Sequence, residues 1–180
     1  MKWNDVTVSQ FIQLQEILKI EDETDKMISL MELFFGEDVI NLSLSDFKKK
    51  TKELEFLQNP VPNNHIVKSV KINGVKYNID ALLGHISTAQ YVDFTNYAKQ
   101  ENNVDKMLSV FFIPEGHKYN DGYDMLKVIK DMGDLPIDIA LSECFFFSRQ
   151  FAKFIQIFQR YSTKMIEEMK MPKKAKKETK

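Results

Sequence analysis

The dipeptide Asn73-Gly74 sits between two short runs in which apolar and polar residues alternate, Val70 and Ile72 before it and Val75, Tyr77 and Ile79 after it. Both central positions of the tightest hairpin turn need positive φ, and Asn followed by Gly supplies them at the least steric cost. This is the one clear β signal in the chain, and it constrains the rest strongly. A two-stranded hairpin is marginal in water by itself. Its apolar face must therefore be covered by helices of the same chain or joined to a partner's sheet.

The material to cover it is helical. Thr7 with Gln10 three residues later has capping-box spacing, and Val8, Phe11, Leu14 and Leu18 follow at helical period. Trp3 precedes this helix and is expected to pack on its first turns. A second helix is predicted from about Asp25, with Ile28, Met31 and Phe35 on one side and Gly36 as its stop. A short turn is expected over Asp38 to Asn41. Ser43 with Asp46 opens a third helix carrying Phe47, Thr51, Leu54 and Leu57, and the run Asn59-Pro60-Val61-Pro62 ends it. After the hairpin, Ser87 and Gln90 repeat the capping-box spacing ahead of Tyr91, Phe94 and Tyr97. The next helix is predicted from Asn103 to Ile113, ended by Pro114. Another is predicted over Asp124 to Met132, with Leu126, Val128 and Ile129, broken at Gly133-Asp134.

Asp134 and Pro136 are placed to start a final helix reaching Met171, roughly 35 residues and about 50 Å. Its second half carries Phe151, Phe154, Ile155, Phe158, Tyr161 and Met165. That stripe wants a partner, either the rest of the fold or another protein. The resulting expectation is a mainly α fold: a helical domain with one small β-hairpin and a long C-terminal helix. Residues 1–58 form an N-terminal helical region, residues 65–171 hold the hairpin and the helices packed with it, and residues 172–180 form a disordered basic tail. Hydrophobic residues make up 43% of the 180, with 14 Phe and 9 Met, enough to build a core. The net charge of −1 is unevenly placed. Residues 170–180 hold six Lys and one Glu, a net +5 that leaves −6 on the rest. A basic tail on an acidic body is a solvated extension or a contact for an acidic partner.

Residue patterns that carry chemistry are sparse in this chain. The three histidines, His65, His85 and His117, form no metal-binding pair, so no metal or cofactor is expected. The single cysteine, Cys144, lies in the apolar run Cys144-Phe145-Phe146-Phe147 and reads as a buried, inert thiol. Asn120, Asp121 and Asp124 do not follow the spacing of a calcium loop; Asp124 is better read as a helix cap. The glycines form no phosphate-binding loop, and Ser142 and Ser148 lack a glycine elbow. Nothing here argues for an enzyme. Lys48-Lys49-Lys50-Thr51-Lys52 is basic, but the acidic body works against nucleic acid. Met1 to Asp5 offer no apolar leader, and no stretch approaches the ~20 apolar residues of a membrane span. The reading is a soluble intracellular protein that does not enter membranes.

Several segments together resemble a known family: Trp3-Asn4-Asp5-Val6-Thr7-Val8, Val67-Lys68-Ser69-Val70-Lys71-Ile72-Asn73-Gly74, Thr88-Ala89-Gln90-Tyr91-Val92-Asp93-Phe94, Ile113-Pro114-Glu115-Gly116 and Tyr119-Asn120-Asp121-Gly122-Tyr123-Asp124. They are similar to small morphogenesis proteins of tailed phages infecting gut Bacteroidetes, and nearest to tail assembly chaperones. The resemblance spans residues 1–150 and rests on structural motifs. It implies a non-enzymatic helper in the host cell cytoplasm that binds the tape measure protein, an elongated helical chain, and recruits tail tube protein. The alternative it leaves open is a structural subunit retained in the virion, a connector or ring component whose long helix packs on neighbouring copies as a homo-oligomer. On either reading, Tyr91, Phe94, Phe151, Phe154 and Phe158 are the residues expected to bind the partner or to build the core.

Overall fold

The computed structural model describes residues 1–63, 66–79 and 86–152. Seven α-helices and three strands make up this part, a mainly α fold with a small sheet. The hairpin forms as the sequence requires. β1 (Ser69–Ile72) and β2 (Val75–Ile79) pair antiparallel with Ile72 opposite Val75, and Asn73 and Gly74 take φ of 49° and 81°. Ile72, Tyr77 and Ile79 are buried on one face.

At the other edge of β2 the chain departs from the expected helix. The helix expected from Asn103 to Ile113 stops early: α5 is Val104–Ser109, and Phe112–Pro114 forms β3. β3 pairs antiparallel with β2, placing Ile79 opposite Phe112 and Tyr77 opposite Pro114. Two causes act together. Pro114 disfavours a helical backbone at Ile113, and the free edge of β2 offers unpaired backbone groups that a helix would leave unmet. Pro114 itself is tolerated because β3 is an edge strand.

Caps place the helices. Thr7 closes a full capping box with Gln10 at the start of α1 (Val8–Ile17). α2 (Glu23–Phe35) begins two residues before the expected point, because Asp22 caps it through Thr24 N at 2.8 Å and Asp25 N at 2.9 Å. Gly36 ends it at φ 98°. Ser43 starts α3 (Leu44–Glu53), and a second full box, Ser87 with Gln90, starts α4 (Thr88–Tyr97). Short 3-10 turns lie at Trp3–Asp5, Glu37–Asn41 and Glu55–Gln58. Trp3 packs edge-on against Phe11 of α1 and, more closely, against Phe56, while its indole N–H donates to Asn59 O at 2.9 Å.

The N-terminal segment is tied to the far end of the described chain. Val8 N donates to Leu135 O and Ile137 N to Val6 O, both at 2.9 Å. This pairing changes how the last helix begins. α6 (Met125–Gly133) is capped by Asp124, as expected. Asp134, however, does not cap the helix that follows. It closes α6, and Pro136 forms an isolated antiparallel bridge with Thr7, flanked by the Val8–Leu135 and Ile137–Val6 backbone bonds. α7, residues 137–152, starts only after Pro136, whose carbonyl accepts from Ala140 N at 3.0 Å. On α6 the buried face is Val128 and Met132; Leu126, counted by periodicity as apolar-face, is 78% exposed. Phe154, Phe158 and the lysine tail lie outside the described residues.

Phe111, which sits between α5 and β3 and is fully buried, should be far more sensitive to truncation than Leu126. In urea unfolding, Phe111→Ala is expected to lower stability by about 3–5 kcal/mol, and Leu126→Ala to stay within about 0.5 kcal/mol.

Candidate interaction surface

Three of the five aromatics singled out in the sequence are brought together. Tyr91 and Phe94 stand one turn apart on α4, and Phe147 and Phe151 one turn apart on α7. Phe111 fills the space between the helices. Its ring stacks on Phe147 at 3.6 Å with an interplanar angle of 9°, and Phe94 lies 5.0 Å from Phe151 and 5.2 Å from Phe111. Tyr91 meets Phe151 edge-on at 5.3 Å. Phe94 is 4% exposed and Phe151 5%, so this seam is a helix–helix interface of the chain itself. Phe111 and Phe147 are as central as the residues named from sequence. The signal for Phe147 was its place one turn before Phe151; Phe111 was obscured by being read as mid-helix.

A polar hub holds the hairpin to α6. Asp131 is 3% exposed although its position is helical and flanked by Val128 and Met132. It accepts from the Tyr77 hydroxyl, from Asn73 Nδ2 at 2.9 Å and from Lys127 Nζ at 2.9 Å. Asn73 Nδ2 also donates to Asp134 at 2.8 Å. Burial would raise the Asp131 pKa, but the bonds from Asn73, Tyr77 and Lys127 outweigh it and hold the carboxyl below its ordinary value. Burial, then the bond to Asp131, pushes the Tyr77 phenol well above its usual range. The hub was not legible in the sequence, because the turn residue Asn73 and the helix residue Asp131 meet only in the fold.

Beside the sheet, an open groove of about 610 Å³ runs between β2, β3 and the start of α4. Ile79, Ile86 and Ile113 make it apolar; Ser87, His117 and Tyr119 add polar groups. Those polar groups are already engaged. Ser87 Oγ accepts from Gln90 N, the Tyr119 hydroxyl donates to Asp93 at 2.6 Å, and His117 Nδ1 lies 3.1 Å from Asp121 O. The Cys144 thiol is buried, and burial first, then the neighbouring Glu143, pushes its pKa to about 12. It is therefore protonated and unreactive at neutral pH. Among the described residues no group of three or more His, Cys, Asp or Glu side chains is placed to hold a metal ion. No described helix is long and apolar enough to cross a membrane.

Fold and site together define a mainly α protein whose small sheet and aromatic seam serve packing. Comparison with protein-family models, with curated proteins and with solved structures found no match.

The hub sets an acid limit on stability. Asp131 has a folded pKa below its unfolded value of about 3.9, so its contribution is complete above that pH and is lost as pH falls through the folded value. Asp131→Ala, which strands the Tyr77 hydroxyl and the Asn73 amide, should lower stability at pH 7 by about 3 kcal/mol. In acid the difference from wild type should shrink. Urea midpoints measured from neutral pH downward check both the magnitude and the direction.

Proposed function

We propose that this chain is a non-enzymatic tail assembly chaperone of a tailed phage, acting in the host cytoplasm on the elongated helical tape measure protein. Two things support this reading. The first is the resemblance carried by the segments around Trp3, Asn73-Gly74, Tyr91 and Tyr119-Asn120-Asp121-Gly122. The second, and the observation that carries most weight, is how the aromatic stripe read in the sequence is divided. Phe147 and Phe151 are used up inside the fold, against Phe94 and Phe111. The same apolar spacing continues in sequence through Phe154, Ile155 and Phe158. In this reading Tyr91, Phe94 and Phe151 build a closed platform, and Phe154 and Phe158 meet the helical client as aromatic anchors. Aromatic anchors of this kind carry a large share of binding energy at protein interfaces.

The test is an affinity capture from infected cells with the full chain and with a chain ending at Ala152, which keeps the buried Phe151. The full chain should retain tape measure protein, the shortened chain should fold and retain none, and purified virions should lack the protein by mass spectrometry. Stoichiometric presence in virions would instead make it a structural subunit, a connector or ring component. Equal capture by the shortened chain would move the binding surface away from Phe154 and Phe158.

A further inference from the structure

Glu143 is a fully buried ionisable group. It lies on α7 with no exposed surface. One carboxyl oxygen, Oε1, accepts from the Val67 backbone N–H at 2.7 Å, a contact across 76 residues that joins α7 to the chain leading into β1. The other, Oε2, is buried with no hydrogen-bond partner. Among the described residues no cation acts on its carboxyl; burial and the Val67 bond are the influences on it, and the neighbouring Cys144 thiol is neutral. A carboxylate in such a place would keep one hydrogen bond while losing all the water that stabilises its charge.

We propose that Glu143 is a proton-controlled latch: uncharged, it ties α7 to residues 66–68, and when ionised it lets that segment go. The direction agrees with burial, which raises the carboxyl's pKa against the smaller opposing effect of the Val67 bond. The linkage follows. The folded state holds this proton to higher pH than the unfolded chain, whose glutamates titrate near about 4.3. Stability from this group is therefore full below that pH and is lost as pH rises through the folded value, after which it levels off. This is opposite in sign to Asp131, so the two groups are separable by titration. The latch is independent of the chaperone reading and holds whatever the partner.

The experiment compares wild type with Glu143→Gln, which keeps an acceptor for Val67 and cannot ionise. Melting temperatures from pH 4 to pH 9 should draw apart, the variant gaining several degrees on wild type as pH rises. Cys144, the next residue and the only cysteine, reports opening in the same samples. Its labelling by a thiol reagent should be faster in wild type than in the variant at alkaline pH and equal in acid. Parallel melting curves with unchanged labelling ratios would overturn the latch. Should the variant not fold, a carboxyl NMR titration of the wild type decides. One glutamate titrating well above the rest supports the proposal, and a uniform set at ordinary values overturns it.

Discussion

A hairpin of eleven residues cannot keep its own apolar face dry, and the rest of this structure answers that constraint. Ile72, Tyr77 and Ile79 point to one side of the sheet and need cover. β3 gives β2 a second neighbour, and α5 and α6 pack on β3 and on each other. The Tyr77 hydroxyl would be left unpaired by that packing. Asp131 takes it, and Asn73 and Lys127 complete the carboxylate's own bonding. Asp131 is buried among these partners, while Lys127 beside it remains half-exposed. The turn is thus fixed twice, once by its backbone conformation and once by a side-chain bond to a helix far away in sequence.

The second organising element is the aromatic seam between α4 and α7. Ring pairs of this kind add about 0.5–1.5 kcal/mol each beyond the area they bury. Here Phe94, Phe111, Phe147 and Phe151 share contacts, so the seam behaves as a unit and single truncations will not add simply. The N-terminal pairing of Val6 and Val8 with residues 135–137 brings α1 onto the same core. Gly133 allows the close approach there, because a Cβ at that position would run into the Ser9 hydroxyl.

Local chemistry was legible in the sequence, and long-range pairing was not. Thr7, Ser43, Ser87 and Asp124 cap the helices assigned to them, and Asn73-Gly74 turns the hairpin, because each acts on backbone within three or four residues. β3 was hidden because Phe111-Phe112-Ile113 is an apolar run that fits a helix or a strand, and only the open edge of β2 decides. Asp134 looked like a cap for the last helix, but it belongs to the end of α6 and to Asn73. Periodicity put Leu126 on the wrong face, where Val128 and Met132 point inward. Of the five aromatics chosen as candidate partner contacts, Tyr91, Phe94 and Phe151 meet in one seam, and Phe154 and Phe158 fall beyond the described chain.

The account depends on that seam being closed in the free protein, so that any helical client must bind elsewhere. Native-state hydrogen exchange on the isolated full chain tests this most directly. Amides of Tyr77, Val128 and Phe147 should exchange through one shared opening, with equal free energies and equal dependence on denaturant. Early exchange at Phe147 and Phe151, with β2 and α6 still protected, would contradict it. The seam would then be an open surface available to a partner, and no longer the centre of the fold.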